Sequence, residues 1–364
     1  MSDLNWRIPY LTADLPGIGG IIRAEVEDFI VEEVPAYEAC GEGEHTFFGV
    51  EKRDLTTHDL VQWLARALEV PEHDFGLAGL KDARAIARQT LSVQNVPPER
   101  LLALEPERAR ILWAKPHTNK LRRGHLRGNR FTLRIRGLEP GAEIHAAAIL
   151  DTLIRRGVPN GYGPQRFGRN GDNADVGLLV LRREWAALRA QGIRYIPKNM
   201  HTFYLSALQS ALFNRYLVAR MEQQAMDGLL LGDVAKKQLT GGLFTVEDVA
   251  AELPRVAAWE ISPTGPIYGY KMLAACDQAG ALEARVLAEA LLTPEDFRPA
   301  KLKGSRRPLR YYPEGLSWHM EDATSLSVSF FAPKGAFATM LLRELMKTDA
   351  VIEEEDTAEG DGEA

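Results

Sequence analysis

The sequence predicts an α+β protein whose main sheet is assembled from both ends of the chain, with a mainly helical α+β middle inserted between them. Three observations carry this. β-Branched and alternating runs recur between Ile21 and Arg136, helical periodicity dominates from 174 to about 300, and strand alternation returns at Leu326-Ser327-Val328-Ser329-Phe330. The 364 residues are 45% hydrophobic and 26% charged, enough for about two ordinary cores. Composition puts a discontinuous domain at 1–157 plus 308–350, the insertion at 158–307, and an acidic tail, expected to be disordered, at 351–364.

The elements follow in order. Gly19-Gly20 lead into Ile21 to Val34, a strand bent near Asp28-Phe29 and ended by Pro35. Gly41 to Glu44 is a turn and Thr46 to Lys52 a second strand, so the two strands are expected to form a hairpin or near-hairpin. Thr57 is the expected N-cap of a helix to Leu68, because Leu60, Trp63, Leu64, Ala67 and Leu68 share one face, and Val70-Pro71 ends it. Thr90 to Gln94 is strand-like, Pro97-Pro98 opens a short helix, and Ile111 to Ala114 is a short strand. Phe131, Leu133 and Ile135 alternate with Thr132, Arg134 and Arg136, which gives a strand with one buried and one basic face. A helix is expected over Ala142 to Arg156, followed by a Gly- and Asn-rich loop from Gly157 to Asn173. Ser206 to Leu217 is amphipathic, whereas Leu229 to Gly242 and Pro263 to Pro266 suggest a small β element. Lys301 to Pro313 is a basic, aromatic crossover between domains. Pro333-Lys334-Gly335 is a turn, and Phe337 to Leu345 a helix.

Charge and composition narrow the class. No run of eighteen apolar residues occurs, and Met1 to Arg7 lacks the layout of a signal peptide. Cys40 and Cys276 stand far apart with no CxxC or histidine-spaced partner, so neither a zinc site nor a disulfide is indicated. A cytoplasmic protein without membrane contact is expected. The net charge of −6 is uneven: seven acids lie between Glu353 and Glu363, and without them the body sits near +1. The tail itself has the composition of a solubilising segment. From Lys115 to Arg136 the chain carries eight Lys or Arg residues and no acid. That span is either a solvated face or, as the missing acids favour, a surface for nucleic acid or another polyanion.

The stretch Gly76-Leu77-Ala78-Gly79-Leu80-Lys81-Asp82-Ala83-Arg84-Ala85 puts a carboxylate beside a lysine, after two glycines that allow close backbone approach. Taken locally, Asp82 is a helix N-cap, since Ala83 onward is helix-compatible.

Gly79-Leu80-Lys81-Asp82, Arg127-Gly128-Asn129-Arg130-Phe131 and Gln165-Arg166-Phe167-Gly168 together resemble the TruD family of tRNA pseudouridine synthases. So do Asp28 to Glu33 and Pro333 to Thr339, and the five strings stand in family order between about residues 28 and 345. The resemblance implies a pseudouridine synthase fold with a mixed, mostly antiparallel sheet and a family-specific inserted domain. It implies tRNA as partner, uridine-13 of the D-arm as target, and Asp82 as the catalytic carboxylate. Asn129 would contact the target nucleotide or position its loop, Phe131 stands where other pseudouridine synthases stack a tyrosine, and Phe29 and Phe337 match positions around the nucleotide. Glycine replaces a family tyrosine at Gly161 in Asn160-Gly161-Tyr162-Gly163.

The chemistry suits these residues. Pseudouridylation breaks N1–C1′, turns the base and joins C5 to C1′, so no cofactor or metal is required. A carboxylate can add to C1′ or remove the C2′ proton. An extruded base needs aromatic faces such as Phe29, Phe131 and Phe337, each of which would otherwise be counted as core. Lys81, Arg84 and Arg88 are the candidate cations for Asp82, with Lys81 also a substrate contact. Arg122, Arg123, Arg127, Gln165 and Arg166 are the expected RNA-binding residues, and a monomer is expected. Two other readings compete: a non-catalytic RNA-binding protein with the same basic surface, and a hydrolase pairing Asp82 with Asp74 or Glu72.

Overall fold

The computed structural model describes residues 4–168 and 170–348; the side chains of Gln165 and Asn199 fall outside the described set, as does the acidic tail. In chain order the first elements are β1 (Gly19–Ile22), a 3-10 turn (Val26–Asp28), β2 (Phe29–Pro35), β3 (His45–Arg53), α1 (Thr57–Leu68) and β4 (Gly76–Leu77). There follow β5 (Ile86–Gln94), α2 (Pro98–Leu102), β6 (Ala109–His117), β7 (Leu126–Leu138) and α3 (Ala142–Arg156). Next come β8 (Val158–Pro159), α4 (Asn173–Arg182), α5 (Trp185–Ala190), α6 (Lys198–Glu222), β9 (Val234–Lys237), β10 (Leu243–Thr245) and α7 (Val249–Ala257). The chain closes with β11 (Ile261–Ile267), α8 (Asp277–Glu289), β12 (Ser305–Pro308), β13 (Arg310–Tyr311), β14 (Glu314–Asp322), β15 (Ser325–Pro333) and α9 (Ala338–Met346).

These elements form two compact units. The first comprises Gly17–Ala146 with Pro313–Ala338; the second comprises the described residues of Met1–Pro16, Ala147–Tyr312 and Thr339–Ala364. The division therefore falls inside α3 and after β13, not at 157 and 308. The first residues go with the second unit because Trp6 donates to the Gly171 carbonyl and accepts from Asn214 at its own carbonyl, and α9 goes with them because Glu344 accepts from the Leu11 and Thr12 amides and Arg343 donates to the Ile8 carbonyl.

The first unit is built on a nine-stranded sheet in the order β14-β15-β7-β2-β5-β3-β6, with β1 also on β7 and β4 also on β5. Only the β2–β5 pair is parallel. The expected hairpin of β2 with β3 does not form, because β5 lies between them. Along β5, Ala87, Thr90, Leu91, Ser92 and Val93 are buried on both faces, which suits a central strand. The bend at Asp28-Phe29 is a full break: β1 and β2 lie end to end along β7, separated by the 3-10 turn. Asp28 holds this turn by accepting from the Glu25 amide and taking a bidentate grip from Arg136 at 2.7–2.9 Å.

Helix α1 covers one face of this sheet. Its N-cap is Thr56, whose hydroxyl accepts from the Asp59 amide at 3.0 Å, one residue earlier than the sequence suggested. Leu60, Val61, Leu64, Ala65 and Leu68 pack on Phe48, Val50, Leu91, Val93 and Ile111. The two-faced strand is β7: Phe131, Leu133 and Ile135 are buried and Arg127, Arg130 and Thr132 exposed. Part of its basic face is neutralised from other segments, because Arg134 pairs with Glu321 and Arg136 with Asp28.

In the second unit, β10-β9-β11-β12 form a small sheet and β8 pairs with β13. Helix α6 runs for 25 residues, and Arg220 near its end makes a fully buried pair with Asp233 at 2.6 Å. The basic stretch beginning at Lys301 is largely structural. Arg306 pairs with Glu283, Arg307 donates to the Asn160 side chain, and Arg310 lies 3.9 Å over the Trp259 ring.

Candidate active site

The loop between β4 and β5 carries Asp82. No helix follows it: residues after Asp82 turn directly into β5, so Asp82 caps nothing and its side chain stays 28% exposed. Central-strand pairing of Ile86 and Ala87 overrides the helix-compatible local sequence. Gly76 is needed where it stands, since a Cβ there would lie 2.3 Å from the Leu121 carbonyl oxygen. Gly79 is not under that constraint: its nearest neighbour would be Lys81 Nζ at 3.5 Å.

Three buried groups hold the loop. Lys52, fully buried at the end of β3, donates to the carbonyls of Leu55, Lys81 and Asp82 at 2.6, 3.1 and 2.6 Å. The Thr57 hydroxyl accepts from the Lys81 amide at 3.2 Å. Lys81 itself turns inward and pairs with Glu33 at 2.6 Å, where the two side chains are 4% and 1% exposed. Glu33 also accepts from the Thr90 amide. The structure therefore puts the Lys81 ammonium in the core, not on Asp82 or an open substrate surface.

The cation beside Asp82 is Arg23. Its guanidinium lies 3.5 Å from Asp82 Oδ1, is 3% exposed, and stacks 4.0 Å over the Phe29 ring. Arg84 is exposed and Arg88 pairs with Glu51, so neither takes that place. Arg23 has φ +58°, the left-handed region, which costs a non-glycine residue roughly 1 kcal/mol. The Asp28–Arg136 clamp a few residues on fixes the turn that imposes this conformation. Burial pushes the Asp28 carboxyl up, but hydrogen bonds from Arg136 and the Glu25 amide outweigh it and hold it below the ordinary value.

Register extends the site along one sheet face. Phe29, Val31 and Glu33 of β2 stand opposite Leu133, Phe131 and Asn129 of β7. Phe131 and Asn129 face Phe330 and Ala332 of β15. Phe131 packs edge-on against Phe29 at 6.0 Å and tilts against Phe330 at 5.6 Å. Phe29 and Phe131 are both buried, while Phe337, in the turn after β15, is 39% exposed. Asn129 Oδ1 is buried and accepts no hydrogen bond among the described residues. Such a group in a native site awaits a ligand or water.

The expected RNA-binding residues separate. Arg122 and Arg127 are exposed and make no ion pair among the described residues; Arg123 is exposed on the same loop. Arg166 lies in the second unit and donates to the hydroxyls of Ser206 and Ser210, and the Gln165 side chain falls outside the described set. Sequence reading missed Arg23, Lys52 and Phe330 as parts of this site. The only signal for Arg23 was a lone arginine ending the Ile21-Ile22 strand.

A partly exposed carboxylate faced by a buried guanidinium, which in turn stacks on the Phe29–Phe131 ring pair, suits acid–base or nucleophilic work. Comparison with known proteins gives this arrangement its class. The family model described as tRNA pseudouridine synthase D (TruD) matches residues 5–190 and 186–345. Proteins named tRNA pseudouridine synthase D from Thermus thermophilus and Anaeromyxobacter dehalogenans are each 45% identical to this chain. The alignments cover 95% of this chain with 94% of the Thermus protein, and 98% with 100% of the Anaeromyxobacter one. A Geobacter protein of the same name is 40% identical over 93% of this chain and 99% of its own length. The crystal structure assigned to TruD from Methanosarcina mazei superposes with a TM-score of 0.78 at 25% identity, covering 94% of this chain and 97% of that one.

The fold and the family match thus define a pseudouridine synthase, an isomerase with an α+β fold built on a mixed sheet. The chain belongs to the TruD family, tRNA pseudouridine synthase D.

Proposed function

We propose that this protein isomerises uridine-13 in the D-arm of tRNA, in the cytoplasm, with Asp82 as the group that attacks the sugar. The observation that carries the reading is the half-open Asp82 carboxylate set against the buried Arg23 guanidinium at 3.5 Å. The target nucleotide leaves the RNA stack and enters beside Asp82, with its base against the partly exposed Phe337 ring and an edge on Asn129 Oδ1. Asp82 either adds to C1′ as the N1–C1′ bond breaks or takes the C2′ proton. In both routes the N1–C1′ bond breaks and the freed uracil turns; C5 then bonds to C1′ as the Asp82–C1′ ester bond breaks in the first route, or as C2′ takes its proton back from Asp82 in the second, after which the C5 proton is lost and N1 takes up a proton. Atoms are conserved overall, so the residues named need supply only position, charge and proton transfer. Arg23 balances the carboxylate while its neighbour Phe29 and the Phe131–Phe330 packing keep that arm dry.

The test is pseudouridine mapping in tRNA incubated with wild-type protein and with Asp82→Asn. The expected result is a single modified position, uridine-13, with wild-type protein and none with the variant, which still binds tRNA. Pseudouridine formed by Asp82→Asn would sink the assignment of the carboxylate, and modification elsewhere in the tRNA would sink the assigned position.

A further inference from the structure

At the other end of β3 from Lys52, the first unit contains a cup of about 640 Å³ that no step above uses. It is lined by Tyr37, His45, His117, Lys120, Arg122 and His125, with two polar loop residues, and by no carboxylate among the described lining residues. Tyr37 is 39% exposed and stacks on His117 with centroids 5.5 Å apart and 23° between planes. Its hydroxyl is hydrogen-bonded to His125 Nδ1 at 2.6 Å. The Cys40 amide donates to His117 Nδ1 at 3.2 Å, which leaves the His117 proton on Nε2 when the ring is neutral. His45 Nδ1 is buried with no hydrogen-bond partner among the described residues. Burial pushes the His45 ring to lower pKa and the Lys120 charge adds to this; Glu44 and Asp74 pull the other way without reversing it. Lys120 spends one proton on the His73 carbonyl and keeps two, and Arg122 is exposed with no ion pair among the described residues.

We propose that this cup binds an unpaired nucleotide of the substrate RNA, with its base stacked on Tyr37, its edge on His45, and its phosphate on Lys120 and Arg122. The proposal rests on the tRNA reading above and adds a second subsite to it. Stacked aromatics beside unpaired cations are what single-stranded nucleotides recognise, and a volume of this size suits one nucleotide.

The experiment measures the Kd of a tRNA transcript for wild type, Tyr37→Ala, Tyr37→Phe and Arg122→Glu. Tyr37→Ala is expected to weaken binding about tenfold, the effect of one lost base stack, while Tyr37→Phe keeps it. Arg122→Glu, an exposed change with no intramolecular partner to lose, is expected to weaken binding about tenfold and to lower the salt dependence by about one unit. Wild-type affinity in both Tyr37→Ala and Arg122→Glu overturns the subsite. Pseudouridine formation is scored in parallel: failure of the wild type to isomerise tRNA counts against the enzyme reading, whereas the Kd series decides the cup alone.

Discussion

Removing either partner of the Glu33–Lys81 pair tests whether Lys81 is a structural group or a substrate contact. At 4% and 1% side-chain exposure, the pair is a buried one, and deleting one member leaves an uncompensated charge worth about 3–5 kcal/mol. Glu33→Met also strands the Thr90 amide, adding roughly 1 kcal/mol, so it should cost more than Lys81→Met, whose remaining carboxylate keeps that donor. Joining both substitutions removes charge and partner together and should recover most of the loss, since an apolar pair of similar volume is often neutral. Urea unfolding at 25 °C reads the effect: with a slope of about 2–3 kcal/mol/M, the single variants shift the midpoint by roughly 1–2 M and the double variant far less. The tRNA Kd of the double variant should match wild type. If Lys81→Met is nearly neutral in urea but weakens tRNA binding, the ammonium faces substrate and the buried-pair argument fails.

Three further outcomes are expected. The folded Asp28 carboxyl sits below its ordinary 3.8, so its contribution to stability is present above that value and is lost as pH falls through the folded one; Arg136→Met should flatten this acid limb in stability measured from pH 5 to pH 2. Arg127→Gln with Arg130→Gln should lower the salt dependence of tRNA binding by about two units, because both side chains are exposed and make no ion pair among the described residues; Arg134→Gln, paired with Glu321, should leave it nearly unchanged, and an equal fall for Arg134→Gln would refute the distinction. Gly128→Ala would place a Cβ 2.1 Å from the Ala332 carbonyl oxygen, so it should destabilise the β7–β15 pairing by about 1–3 kcal/mol and reduce isomerisation through its neighbour Asn129; wild-type stability would show that the two strands can separate freely there.

The pattern of the sequence determined much of the scaffold. Period-two alternation located β7 and β15, and helical spacing located α1, α3 and α9, because each signal is local and survives whatever the element packs against. Short strings in order pointed to Asp82, Asn129 and Phe131, although the residues around Asp82 taken alone spelled a helix cap. The tertiary structure decided where strands pair and which charges meet. Neighbouring letters could not show that β5 separates β2 from β3, that Lys81 turns to Glu33 48 residues away, or that Arg136 is claimed by Asp28 across 108. Of the eight basic residues from Lys115 to Arg136, Arg134 and Arg136 looked uncompensated because their acids, Glu321 and Asp28, arrive from segments distant in sequence. Asp82 likewise takes its cation from Arg23, at the end of β1. Backbone periodicity is written within a few residues, whereas electrostatic partners are set by sheet order, and sheet order is chosen by the burial of the whole unit.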